Sequence, residues 1–464
     1  MKPSRSAVSL ALLGLCALLP ARAAAPGERS WQYEGPPGTV FDVAVRGNRV
    51  FAAGLLDDLG FPGRTDWVVQ ASDAKTGAPV WIDRFDGVDG LSDGAFAVAA
   101  EGNVVVGAGF ATRAGQGRNW FVRAYDARNG TVLWQDEIHG GRRDQAQAVV
   151  IAGGLAYVAG VIGVSGADDP CVAQGLGNCN FVVRAYDAKT GALRWQDSHD
   201  NGAGGYDEAN GISVKGDTIF AVGDVAGAFF GLPDIHVRAY DARTGALRWA
   251  DTFDAGLFDA AAQVAAFGDL VVVAGAGGPG CVLPDPTSDC DAIVRAYDAR
   301  TGAVRWSVQH DEAGGFDEAF RIVATAGVVV AAGRVTGDDG LSHMAVFAFD
   351  RTGERLWAEV VTLAAGESSI ARGLAAQGTS VIAVGGGGPG CVGEPISDCD
   401  ILVRAYDAPS GALGWSDRFD EAGGDDVANA VALSGDTAYV GGSVGLGFGQ
   451  PADLAVRAYR DQPR

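Results

Sequence analysis

Apolar and polar residues alternate along most of this chain with a period of two, in short runs separated by glycine-rich turns. The segment Ile235-His236-Val237-Arg238-Ala239-Tyr240-Asp241 is representative. Such alternation places Val237 and Ala239 on one face of a strand and Arg238 and Tyr240 on the other. Around it the same reading predicts strands over 209–214, 218–223 (TIFAVG) and 246–251 (ALRWAD). Lys215-Gly216-Asp217 and Asp241-Ala242-Arg243-Thr244-Gly245 read as the turns between them. Glycine there supplies the positive φ of a tight turn, and Asp and Thr side chains can bond the turn's own backbone. The pattern leaves no helix of consequence.

This four-strand unit recurs. The stretches WVVQASDAKTGAPVW (67–81), WFVRAYDARNGTVLW (120–134), FVVRAYDAKTGALRW (181–195) and IHVRAYDARTGALRW (235–249) are followed by AIVRAYDARTGAVRW (292–306), MAVFAFDRTGERLW (344–357) and ILVRAYDAPSGALGW (401–415). Their closing residues, Trp81, Trp134, Trp195, Trp249, Trp306, Trp357 and Trp415, fall 51 to 61 residues apart. An eighth copy is split: the chain stops at LAVRAYR (454–460), and Trp31-Gln32-Tyr33-Glu34 at the other end supplies the missing strand. A repeat shared between the termini closes a ring and leaves no sheet edge unpaired at the seam. The expected fold is therefore all-β: a closed eight-bladed β-propeller of four-stranded antiparallel blades. It forms a single domain over 24–464, its last blade completed by residues 29–37.

The pattern A-Y-D-x-x-T-G-x-x-x-W resembles the tryptophan-docking motif of the pyrroloquinoline-quinone (PQQ) repeat. That repeat builds the eight-bladed quinoprotein alcohol dehydrogenases and their non-catalytic relatives. The resemblance covers nearly all of 24–464 and implies that Trp31 and the seven later tryptophans dock between neighbouring blades. Three blades depart from it: blade 1 has Ala71-Ser72-Asp73, blade 6 is one residue short between Asp350 and Trp357, and blade 7 has Ser410 for threonine.

Composition narrows the compartment. Residues 1–23 read as a cleaved signal peptide, with Lys2 and Arg5 ahead of an apolar AVSLALLGLCALL and an Ala21-Arg22-Ala23 cleavage site. Removing Lys2, Arg5 and Arg22 takes the formal charge from −22 to −25. So acidic a chain lacks the basic face that nucleic acid requires, and no later stretch is apolar for long enough to span a bilayer. The 48% apolar content excludes disorder, although the 70 glycines are roughly twice the usual share. Six cysteines beyond the signal form three local pairs, Cys171–Cys179, Cys281–Cys290 and Cys391–Cys399. In an exported chain these read as disulfides. A monomer in the periplasm or outside the cell is expected.

The b–c and d–a loops of the blades share one side of the ring, and they are the variable ones, as loops that meet a ligand on a rigid frame are. The b–c loops hold sixteen acids against four arginines, Arg64, Arg113, Arg118 and Arg334. Near the start of strand a, Asp42, Asp93, Asp144, Asp207, Asp259, Asp317 and Asp426 recur, with Ser369 breaking the set. Two readings stand: a carboxylate ring at the channel mouth that holds a hard cation such as calcium, or aspartates bonding the backbone of their own d–a turns. No Ser/His/Asp or Cys/His constellation can be drawn, so no catalytic residue is assigned. The expected function is a non-catalytic binding or scaffold module that meets a protein, glycan or surface partner through an acidic, disulfide-stapled face, without a cofactor. The alternative implied by the resemblance is a PQQ- and calcium-dependent dehydrogenase of alcohols or sugars. In many such enzymes two adjacent cysteines are bridged against the quinone, and here no two cysteines are adjacent.

Overall fold

The computed structural model describes residues 25–461 except 58–62, 88–89, 142, 165–177, 203–204, 228–231, 283–287, 393–397, 422–423 and 446–451. The described residues form 31 strands and no helix. They make six four-stranded antiparallel sheets and one seven-stranded sheet. The larger sheet is two blades sharing the 18-residue strand Arg29–Arg46. Its first half is the outer strand of blade 8, where Trp31 pairs with Ala458 and Tyr33 with Val456 of Ala452–Arg460. Its second half is the inner strand of blade 1, where Val43 pairs with Ala52 of Arg49–Asp57. Pro36 and Pro37 lie where the strand changes sheets, a place where a missing N–H costs no ladder bond. Counting the shared strand twice gives eight blades. Each inner strand packs against those of both neighbours all the way round, including blade 8 against blade 1.

The seam also rebuilds a turn from two chain ends. Gly27 N–H donates to the Arg460 carbonyl at 2.7 Å, and Arg460 N–H to that of Glu28 at 3.0 Å. Gly27 thus stands where other blades have the glycine of their c–d turn, under Trp415.

The apolar core lies between blades, and its anchors are the repeated tryptophans. Trp195 illustrates the arrangement: its indole N–H donates to the Ala242 carbonyl of the next blade at 2.9 Å, and its ring meets Tyr240 at 5.7 Å. The indole lies on Gly245, whose φ of +72° a side chain rarely adopts and whose Cβ would fall 2.6 Å from the ring. The same contact recurs for Trp31 on Gly77, Trp81 on Gly130, Trp134 on Gly191, Trp249 on Gly302, Trp306 on Gly353, Trp357 on Gly411 and Trp415 on Gly27. Trp134, Trp195, Trp249 and Trp415 are buried; Trp31, Trp81, Trp306 and Trp357 are only partly so.

A second inter-blade contact has no counterpart in the sequence expectations. Tyr125, Tyr186 and Tyr240 donate from strand c to Asp83, Asp136 and Asp197 of the preceding blade at 2.7 to 2.8 Å. The arginine two residues before each tyrosine pairs with the same aspartate at 2.9 to 3.4 Å. Arg295 with Asp251 and Arg404 with Glu359 continue the series, and Asp417 faces Arg457 and Tyr459. Two junctions differ. Between blades 5 and 6 the positions are Val308, Phe347 and Phe349; at the seam they are Tyr33, Gln70 and Ser72. The signal was available as Arg-x-Tyr in strand c and an acid two residues after the tryptophan, 40 to 50 residues apart.

Candidate functional site

The loop face is built on tied bases. Cys281–Cys290 and Cys391–Cys399 are disulfide-bonded and buried; Cys171 lies outside the described residues. The second cysteine of each pair also ties its loop to the next d–a connection. Cys179 N–H donates to Gly205 and Cys290 N–H to Gly315, while the N–H groups of Asp207, Asp317 and Asp426 donate to Cys179, Cys290 and Cys399.

Six of the seven recurring aspartates occupy one position, fully buried at the start of strand a. Each carboxylate joins the d–a turn to the end of strand b. Asp93 accepts from Gly87 N–H at 2.6 Å and Thr112 N–H at 2.8 Å. Asp207 accepts from Asn201 and Ala226, Asp317 from Glu312 and Thr336, and Asp426 from Glu421 and Gly445. Asp144 is held by Gly140, Gly141 and Gly163, and Asp259 by Ala255, Gly256 and Gly278. Burial pushes Asp93, Asp207, Asp317 and Asp426 up to about 6 against these N–H bonds, which favour the charged form. Ser369 takes the position in blade 7, its Oγ accepting from Met344 N–H and donating to Val361 O.

Asp42 departs from the set. The strand Arg29–Arg46 runs straight from blade 8 into blade 1, so there is no d–a turn for an aspartate to bond. Its bulge falls between Val40 and Asp42, as that of blade 2 falls between Ala95 and Ala97. The residue matching Asp93 is therefore Gly38, and Asp42 matches Ala97. Its carboxylate accepts from Val43 N–H and, across the junction, from Val98 N–H of blade 2 at 2.8 Å.

Asp42 instead lines the central channel, a cavity of about 300 Å³ bordered by Phe41, Phe96, Gln147, Asn210, Gln263, Arg321 and Asn429. Several of these polar side chains bridge neighbouring inner strands. Asn210 donates to Ala261 O, Gln263 accepts from Ile322 N–H, Asn429 donates to Val40 O and Gln147 to Glu208. Next to this lining, cross-strand neighbours Glu208 and Asp224 bury two carboxyls side by side. Burial, with Glu208 as a nearby like charge, pushes Asp224 up to about 8.

Whether this face could hold the groups that quinoproteins bind turns on how its donors are placed. The six aspartates lie one per blade, and their oxygens face N–H donors, so they do not converge on one cation. Two outer groups do converge: carboxylate oxygens of Asp234, Asp254 and Asp259, and of Asp289, Asp291 and Asp311, lie within 4.8 Å of one another. Bound through one oxygen each, three carboxylates supply three of the six to eight oxygens that calcium takes. The two described cystines stand at loop bases and not among the channel-lining residues. Among the described residues, these donors do not match a quinone site.

Known proteins place the chain in context. BamB from Moraxella catarrhalis is 17% identical, with a TM-score of 0.51 over 94% of this chain and 99% of that one. Quinohemoprotein alcohol dehydrogenase ADHIIG from Pseudomonas putida HK5 is 14% identical, with 0.52 over 94% and 77%. A europium-containing methanol dehydrogenase is 12% identical, with 0.53 over 93% of each. At these identities the likeness establishes the fold alone. No curated protein matches the chain, and no helix of the described residues is long and apolar enough to cross a membrane. The family model described as outer membrane protein assembly factor BamB matches residues 17–168 and 180–392. With that match added to the eight docking tryptophans, the chain belongs to this family of PQQ-repeat β-propellers.

Proposed function

We propose that the protein is an exported, non-catalytic binding or scaffold module that presents its acidic, disulfide-stapled loop face to a protein, glycan or surface partner. The observation that carries this reading is how the repeated polar groups are used. The buried aspartates, the channel amides and the Arg–Tyr–acid contacts all bond neighbouring parts of the ring, which leaves the stapled loops as the variable feature. Export to the periplasm or beyond rests on the signal-like residues 1–23 and on the cystines. A face of this charge attracts cationic groups or a basic partner surface.

Titration of the purified protein with PQQ and calcium, read by absorbance and melting temperature, separates this reading from a dehydrogenase. No saturable quinone band and no rise in melting temperature are expected. Tight quinone binding would overturn the proposal.

A further inference from the structure

Three isolated parallel bridges among the described residues fall at one place in three blades. Each joins the start of strand c to the residue before a buried aspartate: Cys179 to Tyr206, Cys290 to Phe316 and Arg118 to Arg143. In blades 3 and 5 this place is apolar, with Cys179 packed on Val161 and Tyr206 and Cys290 on Cys281 and Phe316. Blade 2 puts two guanidinium groups there.

Their partners leave positive charge over. Arg118 lies 4.1 Å above Phe110 and donates to the neutral Gln145 at 2.9 Å. Arg143 lies 5.6 Å from the Tyr206 ring and 3.9 Å from one carboxylate oxygen of Glu208. Glu208 is itself buried and also accepts from Gln147, and burial raises its pKa. Burial and the neighbouring Arg143 together lower the pKa of Arg118. Two like charges side by side are unfavourable unless a counter-charge joins them, and planar guanidinium forks match an oxyanion. Nothing about closing this loop demands arginine, since blades 3 and 5 close it with cysteine and an aromatic ring.

We propose that Arg118 and Arg143 form a binding site for a small oxyanion, a carboxylate or a phosphoryl group, on the loop face at the junction of blades 2 and 3. Gln147 bonds Glu208 and lines the channel, so the site adjoins the channel mouth. The surrounding acidic face repels an acidic macromolecule and admits a small anion. The site does not depend on the binding-module reading.

Inorganic phosphate and acetate, each against chloride at constant ionic strength, are titrated into the full mature protein by calorimetry and followed by melting temperature. One of the two should bind saturably and raise the melting temperature, and the tighter probe identifies the ligand class. Arg118→Gln and Arg143→Gln should each weaken that binding at least tenfold, and Arg118→Lys should weaken it by keeping the charge without the fork. Arg118→Gln should not melt below the parent in chloride. Arg243→Gln on the opposite face should bind as the parent does. Probes that act no differently from chloride, or Gln variants that bind like the parent, would overturn the site.

Discussion

Replacing Asp317 with asparagine tests what the recurring aspartates do. Asp317 is fully buried, and its two oxygens accept separate backbone N–H groups: Glu312 in the d–a turn at 2.6 Å and Thr336 at the end of strand b at 2.7 Å. An amide of the same shape keeps one acceptor and turns an NH2 toward the other donor. One charge-assisted bond is lost, about 1.5–3 kcal/mol, and a buried N–H is left without a partner. The expected cost of Asp317→Asn is about 1–2 kcal/mol, an orphaned donor partly offset by relief of a buried charge, with no contribution from a lost ion. Asp338→Asn, on an exposed b–c loop residue of the same blade, should change stability by less than about 0.5 kcal/mol. Urea unfolding at pH 7.5, followed by tryptophan fluorescence without added metal, measures both. A cost for Asp317→Asn as small as that of the control would refute the turn-bonding role. A rise in midpoint on adding calcium to the parent protein but not to Asp317→Asn would return the carboxylates to a metal.

Trp195→Ala should cost about 3–5 kcal/mol, because the ring is 8% exposed and bonds the next blade. Trp357→Ala, at a partly exposed site, should cost less; equal and small shifts in unfolding midpoint would deny the docking role. The pH dependence follows from Asp93, Asp207, Asp317 and Asp426, raised in the fold from 3.8 to about 6. A raised folded pKa gives stability that is present below the unfolded value and lost as the pH climbs through the folded one. Urea midpoints should therefore fall from about pH 4 to about pH 6.5, with a further, shallower fall up to about pH 8 as Glu318 and Asp224 ionise. A second loss is expected below pH 3.8, where turn aspartates such as Asp187, held at about 2 chiefly by Arg194, lose their charge. Gln70→Leu should raise stability by about 1–2 kcal/mol, since both polar atoms of the buried Gln70 amide lack partners; a drop in midpoint would show that the amide is satisfied.

The fold was legible because its two signals are local. The period of two sets each strand, and the tryptophan spacing sets each blade; Trp31 and the half-repeat 454–460 then require closure. The aspartates were legible as a position but not as a geometry. Asp42 keeps the spacing from its tryptophan, yet a continuous strand replaces the turn that the spacing assumed. The contacts of Tyr125 with Asp83 and of Arg118 with Arg143 were not legible, because each partner looks ordinary within its own segment. Only the docking of one blade on the next, or the bridge between two loops, brings them together.

The two junctions without the Arg–Tyr–acid contact indicate how such a ring tolerates change. Between blades 5 and 6 the acid has become Val308 while the arginine and tyrosine have become Phe347 and Phe349, so the junction has turned apolar on both sides at once. Phe349 still meets Trp306 at 6.0 Å, and neither side is left with a buried unpaired charge, which would cost far more than the lost contact. At the seam the change has gone only part of the way. Tyr33 stands at the acid position and Ser72 at the tyrosine position, a large-for-small exchange across the junction, but Gln70 retains a polar head with no acid to meet. The sheet compensates there, because Arg29–Arg46 passes from blade 8 into blade 1 as one continuous strand, where the other junctions are crossed by a d–a loop. A junction crossed by one unbroken strand can carry a poorly matched side-chain contact, and the seam is where the mismatch lies.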